Sequence, residues 1–441
     1  MAINITEMKL PWTPKDARDY IQSQTDAFGV FIDVDRCFEI SGILQLEMSD
    51  LNRQARRLSN NPRVKLSNKQ SCIDALVEMG VPRTDMLTAK DKPGLNAEIL
   101  DRLQNAVTSS EEVKQFATLY SKHSSHQKNK GFIEGLCYGN HSTALSKKNH
   151  RMARCCPKWQ VLSTSRISAS DPGVQGIPRT MGDIICEPKG YTLIRCDSGQ
   201  IEPRINWSHF LRDEVIMNLI TYYDDAYFGL LHYCSVDDAT LKGLYENFDA
   251  FFTPLDITDE IKDKRQTVKR LTNAASYGSS NLGKVEPGLA INYEKRIVNH
   301  PKRKELEYNI TKQVRAGDET FYGAFGTPVT PDSTERYSKN DKGWINHVVR
   351  GGINNPVQTT ASELMLHSVY AAREIIAKAK DTHICFYKHD EACFYVSDED
   401  MANGVGDVLS DITAYNVKGW IPIKADPLIG VKKGDFPSYI L

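Results

Sequence analysis

The stretch 384-ICFYKHDEACFYV-396 decides how this chain is read. Two acids, Asp390 and Glu391, stand side by side between two runs of aromatic and β-branched residues. Such runs favour strands, and a short polar break between them favours a hairpin. Acids are ordinary in hairpin turns. The stretch is therefore either a solvated turn or a pair of strands that hold carboxylates in place. A second acid presented in the same way would favour the latter.

Segment 191-YTLIRCD-197 supplies one. It reads as an apolar strand ending on Asp197, followed by a turn at Gly199 and by Gln200, Glu202 and Arg204. Two carboxylates converging on one point repel unless a cation lies between them. Such oxygen ligands suit Mg²⁺, which takes few protein carboxylates and keeps positions for water and phosphate. Two ions about 4 Å apart stabilise both the attacking and the leaving oxygen of an in-line phosphoryl displacement.

Three further segments carry chemistry. In 264-KRQTVKRLTNAASYGSS-280, Arg265, Lys269, Asn273 and Tyr277 recur every four residues. They share one broad helix face about 18 Å long. Its basic end suits a triphosphate, and its aromatic end suits a base or sugar. An amphipathic surface helix has the same spacing. In 350-RGGINNPVQTTASEL-364 a helix is expected to open with Asn355 as cap and Pro356 at its first position. It should run to about Lys380 on a stripe including Ala361, Met365 and Ile375. Asn354 and Gln358, around its first turn, carry amides that can donate to minor-groove acceptors. The stretch 163-STSRISASDPGVQGIPR-179 reads as a polar, turn-rich loop carrying Arg166.

Composition bounds the rest. The 441 residues are 40% hydrophobic and 25% charged, as in a soluble protein of two or three domains or one multi-lobed enzyme. No apolar run approaches the roughly 18 residues of a membrane span, and the first residues lack a secretory pattern. The ten cysteines form no CxxC pair or Cys/His metal cluster. Reduced thiols in a cytoplasm are the simplest reading. Net charge is −1, but nine Lys/Arg between Lys122 and Arg166 face one acid, Glu134. That run suits a solvated face or a phosphate backbone.

A helix is expected from Thr13-Pro14 towards Gln24, and a strand in 28-FGVFIDVD-35. Residues 36–66 carry Phe38, Ile43, Leu46, Met48 and Leu51 at helical spacing. Residues 70–130 and 206–280 read as mostly helical, and a last helix is expected near 400–414. Helices around a small antiparallel sheet make the expected class α+β.

Taken in order, these motifs resemble the polymerase domain of family A DNA polymerases, the bacterial DNA polymerase I type that includes many phage enzymes. Residues 163–179 are similar to the family's TGR-L-S-S-x-D-P-x-L-Q-N-I-P segment, and 197-DSGQIEPR-204 to its motif A. Residues 265–278 have the R-x3-K-x7-YG spacing of motif B, and 389-HDE-391 is the tripeptide of motif C. Residues 350–361 resemble the segment between B and C, and residues 28–35 the opening of the thumb. The resemblance implies a right-hand architecture of thumb, palm and helical fingers over about residues 20–441. It divides the chain into an N-terminal extension (1–19), thumb and start of palm (20–160), palm with motif A (161–205), fingers with motif B (206–300) and palm with motif C (301–441).

Carried residue by residue, the resemblance implies Asp197, Asp390 and Lys269 as catalytic. Asp197, Asp390 and the Ser198 carbonyl would bind two Mg²⁺ ions, for which Mn²⁺ substitutes, and Glu391 would be an auxiliary acid on the metal side. Arg265, Lys269, Asn273, Tyr277, Gln200 and Glu202 would meet the incoming dNTP, with Glu202 excluding a ribose 2′-hydroxyl. Arg166, Arg350, Asn354, Gln358 and His389 would contact primer-template DNA, and the basic span 122–158 would grip duplex.

Departures from the family are also legible. Asn273 and Ala274 stand where motif B has an aromatic and Gly, Ser198-Gly199 replace Tyr-Ser, and Pro203 replaces Leu. Asp197 and Lys269 are 72 residues apart, long enough to suggest an insertion in the fingers. These changes point to unusual nucleotide selection. Asp33 and Asp35 fall in the thumb-like match without further exonuclease motifs, so no proofreading is expected. An exonuclease or processivity factor would be a separate subunit, and phage or mobile-element replication is the expected setting. The alternatives are a single-subunit RNA polymerase-like enzyme and a polymerase-derived, non-catalytic DNA-binding protein.

Overall fold

Residues 384–388 and 391–396 do fold as the paired strands of a largely buried hairpin. The computed structural model describes residues 2–5, 12–88, 92–105, 109–137, 141–276, 287–331, 342–388 and 390–431. Strands β1 (Tyr191–Ser198), β2 (Thr382–Lys388), β3 (Glu391–Ser397) and β4 (Ala425–Ile429) form an antiparallel sheet in the order β2-β3-β1-β4. Every residue of β3 is buried, which is why its interior, Ala392 to Val396, is a run without polar alternation. Helix α1 (Pro14–Ala27) packs on β2, and a short helix, Val405–Ser410, packs on β1. Thr13 caps α1 in a capping box with Asp16, as the Thr-Pro start predicts.

Contacts divide the chain into two compact units. One comprises residues 1–28, 157–171 and 191–430, and the other 29–156, 172–190 and 431–441. The first holds the sheet together with α2 (Ala226–Ser235), α3 (Asp259–Ser276) and α4 (Lys342–Ile376). Its helical core gathers Trp207, Leu219, Ile220, Leu230, Leu231, Val268 and Leu271. Gly229 of α2 lets the helix Glu214–Tyr223 approach closely, since a Cβ there would lie 2.8 Å from Ile220.

In the second unit the strands Val30–Asp33, Arg151–Cys155 and His141–Leu145 pair in that order, beside the long helices Val34–Leu58 and Glu111–Cys137. The Val34–Leu58 helix buries Cys37, Ile40, Ile43, Leu44, Met48 and Leu51. Two apolar residues expected on that stripe, Phe38 and Leu46, are exposed. Phe38 instead lies under the Arg151 guanidinium.

Mixed helices and small antiparallel sheets give the expected α+β class. Helix α4 corrects one expectation: it starts at Lys342, and Pro356 lies inside it. An internal proline loses one hydrogen bond and crowds the carbonyl four residues back, at a cost of roughly 3 kcal/mol. Burying Trp344, Val348 and Val349 against Ile310, Val314 and Phe321, at about 1.5–3 kcal/mol per large side chain, outweighs it. Gly352, four residues before the proline, is needed for that packing. A Cβ there would meet Phe321 at 2.7 Å and Ile310 at 2.8 Å. The last predicted helix is two short ones, Asp398–Ala402 and Val405–Ser410, with Gly404 between them at φ 78°.

Candidate active site

Register builds the acid cluster. Glu391, first in β3, pairs directly with Asp197 near the end of β1, and Asp426 of β4 pairs with Asp197 from the other side. Directly opposed residues share a face of the sheet, so three acids line up across three strands. Asp390 precedes β3, and its carbonyl accepts the Ser198 amide at 2.8 Å. The Ser198 hydroxyl donates to the Thr413 carbonyl at 3.1 Å, and the Thr413 hydroxyl donates to the Asp197 carbonyl at 3.1 Å. Side chains and backbone thus clamp the strand end on which Asp197 stands. Gly199 belongs to the clamp: its amide donates to the Lys424 carbonyl at 2.8 Å, and a Cβ would sit a tight 3.2 Å from that oxygen.

The acids differ in surroundings. Burial pushes Asp390 up to about 6, and the negative charges of Glu202 and Glu391 add to it. Glu391 is buried and gives its two oxygens to Arg195, at 2.7 and 3.1 Å. The expected auxiliary metal-side acid is therefore engaged with a guanidinium on the neighbouring strand. Among the described residues, no group of three or more His, Cys, Asp and Glu side chains forms a ready metal cage.

Beside the acids lies a basic, aromatic cradle. Lys269 Nζ stands 5.8 Å from the Tyr227 ring centre, and the Arg265 guanidinium 5.2 Å from it and 5.5 Å from that of Phe228. Both cations project from one face of α3, while Val268 and Leu271 bury its other face. Arg265 donates Nε and Nη2 to Asp225 Oδ2 at 3.0 and 2.5 Å. Gln200, held at φ 56°, donates Nε2 to that oxygen at 2.6 Å and accepts the Ala226 amide at 2.5 Å. Burial works to raise the Asp225 carboxyl, but the hydrogen bonds from Arg265, Phe228 and Gln200 outweigh it and hold it below its ordinary value. Burial pushes the Tyr227 phenol up to about 12.

A cleft of about 40 Å³ gathers Glu202, Asn273, Asn354 and Gln358, along with Thr272, Arg303 and Val357. Arg166 pairs with Glu202 through Nη2 and Oε1. Arg350 is exposed, its Nε donating to the Asn346 carbonyl at 3.3 Å. Tyr277 and His389 lie outside the described residues.

The basic run between Lys122 and Arg166 is less one-sided in space than in sequence. Lys122 faces Glu47 at 3.8 Å, Lys130 meets Glu134 at 2.7 Å, Arg151 meets Asp35 at 2.6 Å and Lys158 faces Asp171 at 3.4 Å. Three of those four acids come from outside the run. Asp33 caps the Val34–Leu58 helix and accepts from His150 Nδ1 at 2.8 Å.

Sequence reasoning missed Asp225, Tyr227, Arg195 and Asp426. The Asp-Ala-Tyr opening of α2 is legible as a helix cap. Its link to Arg265, forty residues later, is not.

Among solved structures, the polymerase domain of Pol1 from M. smegmatis, in complex with DNA primer-template and dNTP, is similar to this chain with TM-score 0.72 and 16% identity. The match covers 96% of this chain and 70% of that one. The fold is that of a family A DNA polymerase domain. In sequence the chain is 27% identical over 274 residues to DNA polymerase I of Pseudomonas aeruginosa, covering 58% of this chain and 27% of that protein. It thus spans about a quarter of the curated relative's length. No family model matches. In this chain the acid cluster comes from β1 and the β2–β3 hairpin, and the basic cradle from α2 and α3. Among the described residues no helix is long and apolar enough to cross a membrane.

Proposed function

We propose that this chain is a template-directed DNA polymerase, adding deoxynucleotides to a primer 3′ end with release of pyrophosphate. One observation carries the reading: Asp197 and Asp390 stand at abutting strand ends, clamped by backbone and hydroxyl hydrogen bonds. The donor set fits a hard divalent cation. Carboxylate oxygens are the right chemistry, the negative charges of Glu202 and Glu391 beside Asp390 favour a cation there, and a site short of ligands leaves positions for water and phosphate. Asp197, Asp390 and the Ser198 carbonyl would hold two Mg²⁺ ions, or Mn²⁺ in substitution, which stabilise charge on the attacking and leaving oxygens.

The chain's own residues do the rest. Arg265 and Lys269 bind the triphosphate, and Lys269 holds a proton at Nζ for the departing pyrophosphate. Glu391 acts through Arg195, keeping β3 and β1 in register beneath the acids. Glu202, steadied by Arg166, borders the sugar where the family excludes a 2′-hydroxyl, and Asn273 beside it in the cleft loosens that exclusion. Gln200 and Tyr277 border the nucleotide, while Arg166, Arg350, Asn354, Gln358 and His389 meet primer and template. The chain would divide into a thumb with the start of the palm over residues 20–160, palm over 161–205 and 301–441, and fingers over 206–300.

Asp33 is held by His150 and Asp35 by Arg151, which supports a structural role for both acids over an exonuclease one. An exonuclease or processivity factor would then be a separate subunit, and phage or mobile-element replication the setting. Free cysteines fit a reducing cytoplasm. Primer extension with Mg²⁺ tests the activity. Deoxynucleotide products are expected, whereas ribonucleotide products alone, or none, overturn it.

Asn273 sets how tightly the sugar is held. It lines the cleft with Glu202 where the family places an aromatic ring, leaving room beside the incoming sugar. The wild type should therefore tolerate dideoxy- and ribonucleotides or a modified base. Asn273→Phe should fill that space and sharpen discrimination by about tenfold, a scale set by small steric differences in a pocket. Steady-state incorporation ratios measure this, and unchanged ratios refute it.

A further inference from the structure

Arg265 is already occupied. Two of its five donors lie on Asp225 Oδ2, and one face of its guanidinium is turned to the Tyr227 and Phe228 rings. The pair is mostly withdrawn from solvent, with 18% and 15% of the two side chains exposed. Asp225 is itself fully committed. Its Oδ1 caps α2 through the Tyr227 and Phe228 amides at 2.9 and 2.8 Å, and its Oδ2 also takes Gln200. One carboxylate therefore ties the turn that follows Asp197 to the helix that carries the triphosphate-binding cations.

We infer that Asp225 is a positioning residue that competes with the incoming triphosphate for Arg265 and so sets nucleotide affinity. The inference rests on the polymerase reading and deepens it. Before a nucleotide arrives, Asp225 cancels the charge of Arg265 and parks it over the two rings. A triphosphate carries more negative charge than one carboxylate and draws the guanidinium away, while Oδ1 keeps the helix capped. A nucleotide whose phosphates do not reach Arg265 leaves the pair intact and binds through Lys269 alone. The pair is thereby a threshold that a correctly seated triphosphate crosses.

Asp225→Asn isolates this role. Asparagine keeps Oδ1, hence the cap. Its amide nitrogen cannot accept from Arg265. On a primed template, KM and equilibrium Kd for a dNTP should fall at least about tenfold, by more than any change in kcat, which is the low end for a charge-assisted hydrogen bond removed from the free state. Asp225→Glu keeps the charge and should stay nearer the wild type. An unchanged or raised KM in Asp225→Asn overturns the inference, as does a fallen melting temperature with weakened binding in both variants, which would make Asp225 scaffold only. If the wild type extends no primer, it is the polymerase reading that fails. The Asp225→Asn comparison is then read from equilibrium binding of the triphosphate alone, with the same two outcomes.

Discussion

Replacing Asp390 with alanine should lower primer extension at least about 10³-fold while leaving the fold intact, because charge stabilisation at the reacting oxygens is worth several kcal/mol and each 1.36 kcal/mol is tenfold in rate. The backbone of Asp390, not its side chain, accepts the Ser198 amide, so the hairpin and β1 stay joined in the variant. Burial and the charges of Glu202 and Glu391 already disfavour an ionised Asp390. Removing that charge relieves repulsion, so the melting temperature should hold or rise. DNA affinity should change little, since the DNA contacts assigned to Arg166, Arg350, Asn354 and Gln358 survive. Single-turnover extension beside a binding titration separates the effects. Extension within tenfold of wild type would sink the proposed mechanism.

The largest loss of stability is expected from Arg195→Ala. Arg195 and Glu391 are 7% and 8% exposed and joined by two hydrogen bonds. Removing one member of a buried pair strands the other charge, at about 3–5 kcal/mol. Here the stranded carboxylate would also face Asp197 directly across the strands and stand next to Asp390 in sequence, adding like-charge repulsion. The double variant Arg195→Met with Glu391→Gln should cost less than Arg195→Ala alone, because no uncompensated charge remains. Denaturant unfolding of the three proteins measures this. A loss below about 1 kcal/mol for Arg195→Ala would mean that water reaches Glu391 and that the pair does not organise the site.

Much of the site was legible in advance because its signals are local. A strand that ends on an acid, a hairpin with acids at its turn and cations every four residues on a helix each follow from short-range periodicity. The paired strands came out as read, and Asp197 met Glu391 through strand register. Helix α4 misled because a proline after an asparagine is a strong local start signal, yet burial of Trp344, Val348 and Val349 outweighs it. Phe38 and Leu46 misled because helical spacing alone does not say which apolar residues share the buried face.

The sequence by itself determined which groups this protein has for chemistry: oxygen acids at strand ends, and an Arg and a Lys one helical turn apart. Periodicity and residue type are properties of the chain. Only the tertiary structure decided whom each charge faces. Glu391 went to Arg195, Arg265 to Asp225, Glu202 to Arg166 and the basic run largely to acids outside it. Electrostatic partners are chosen by distance in space, and the register of β1 against β3 and the packing of α3 on α2 set distances that no local spacing encodes.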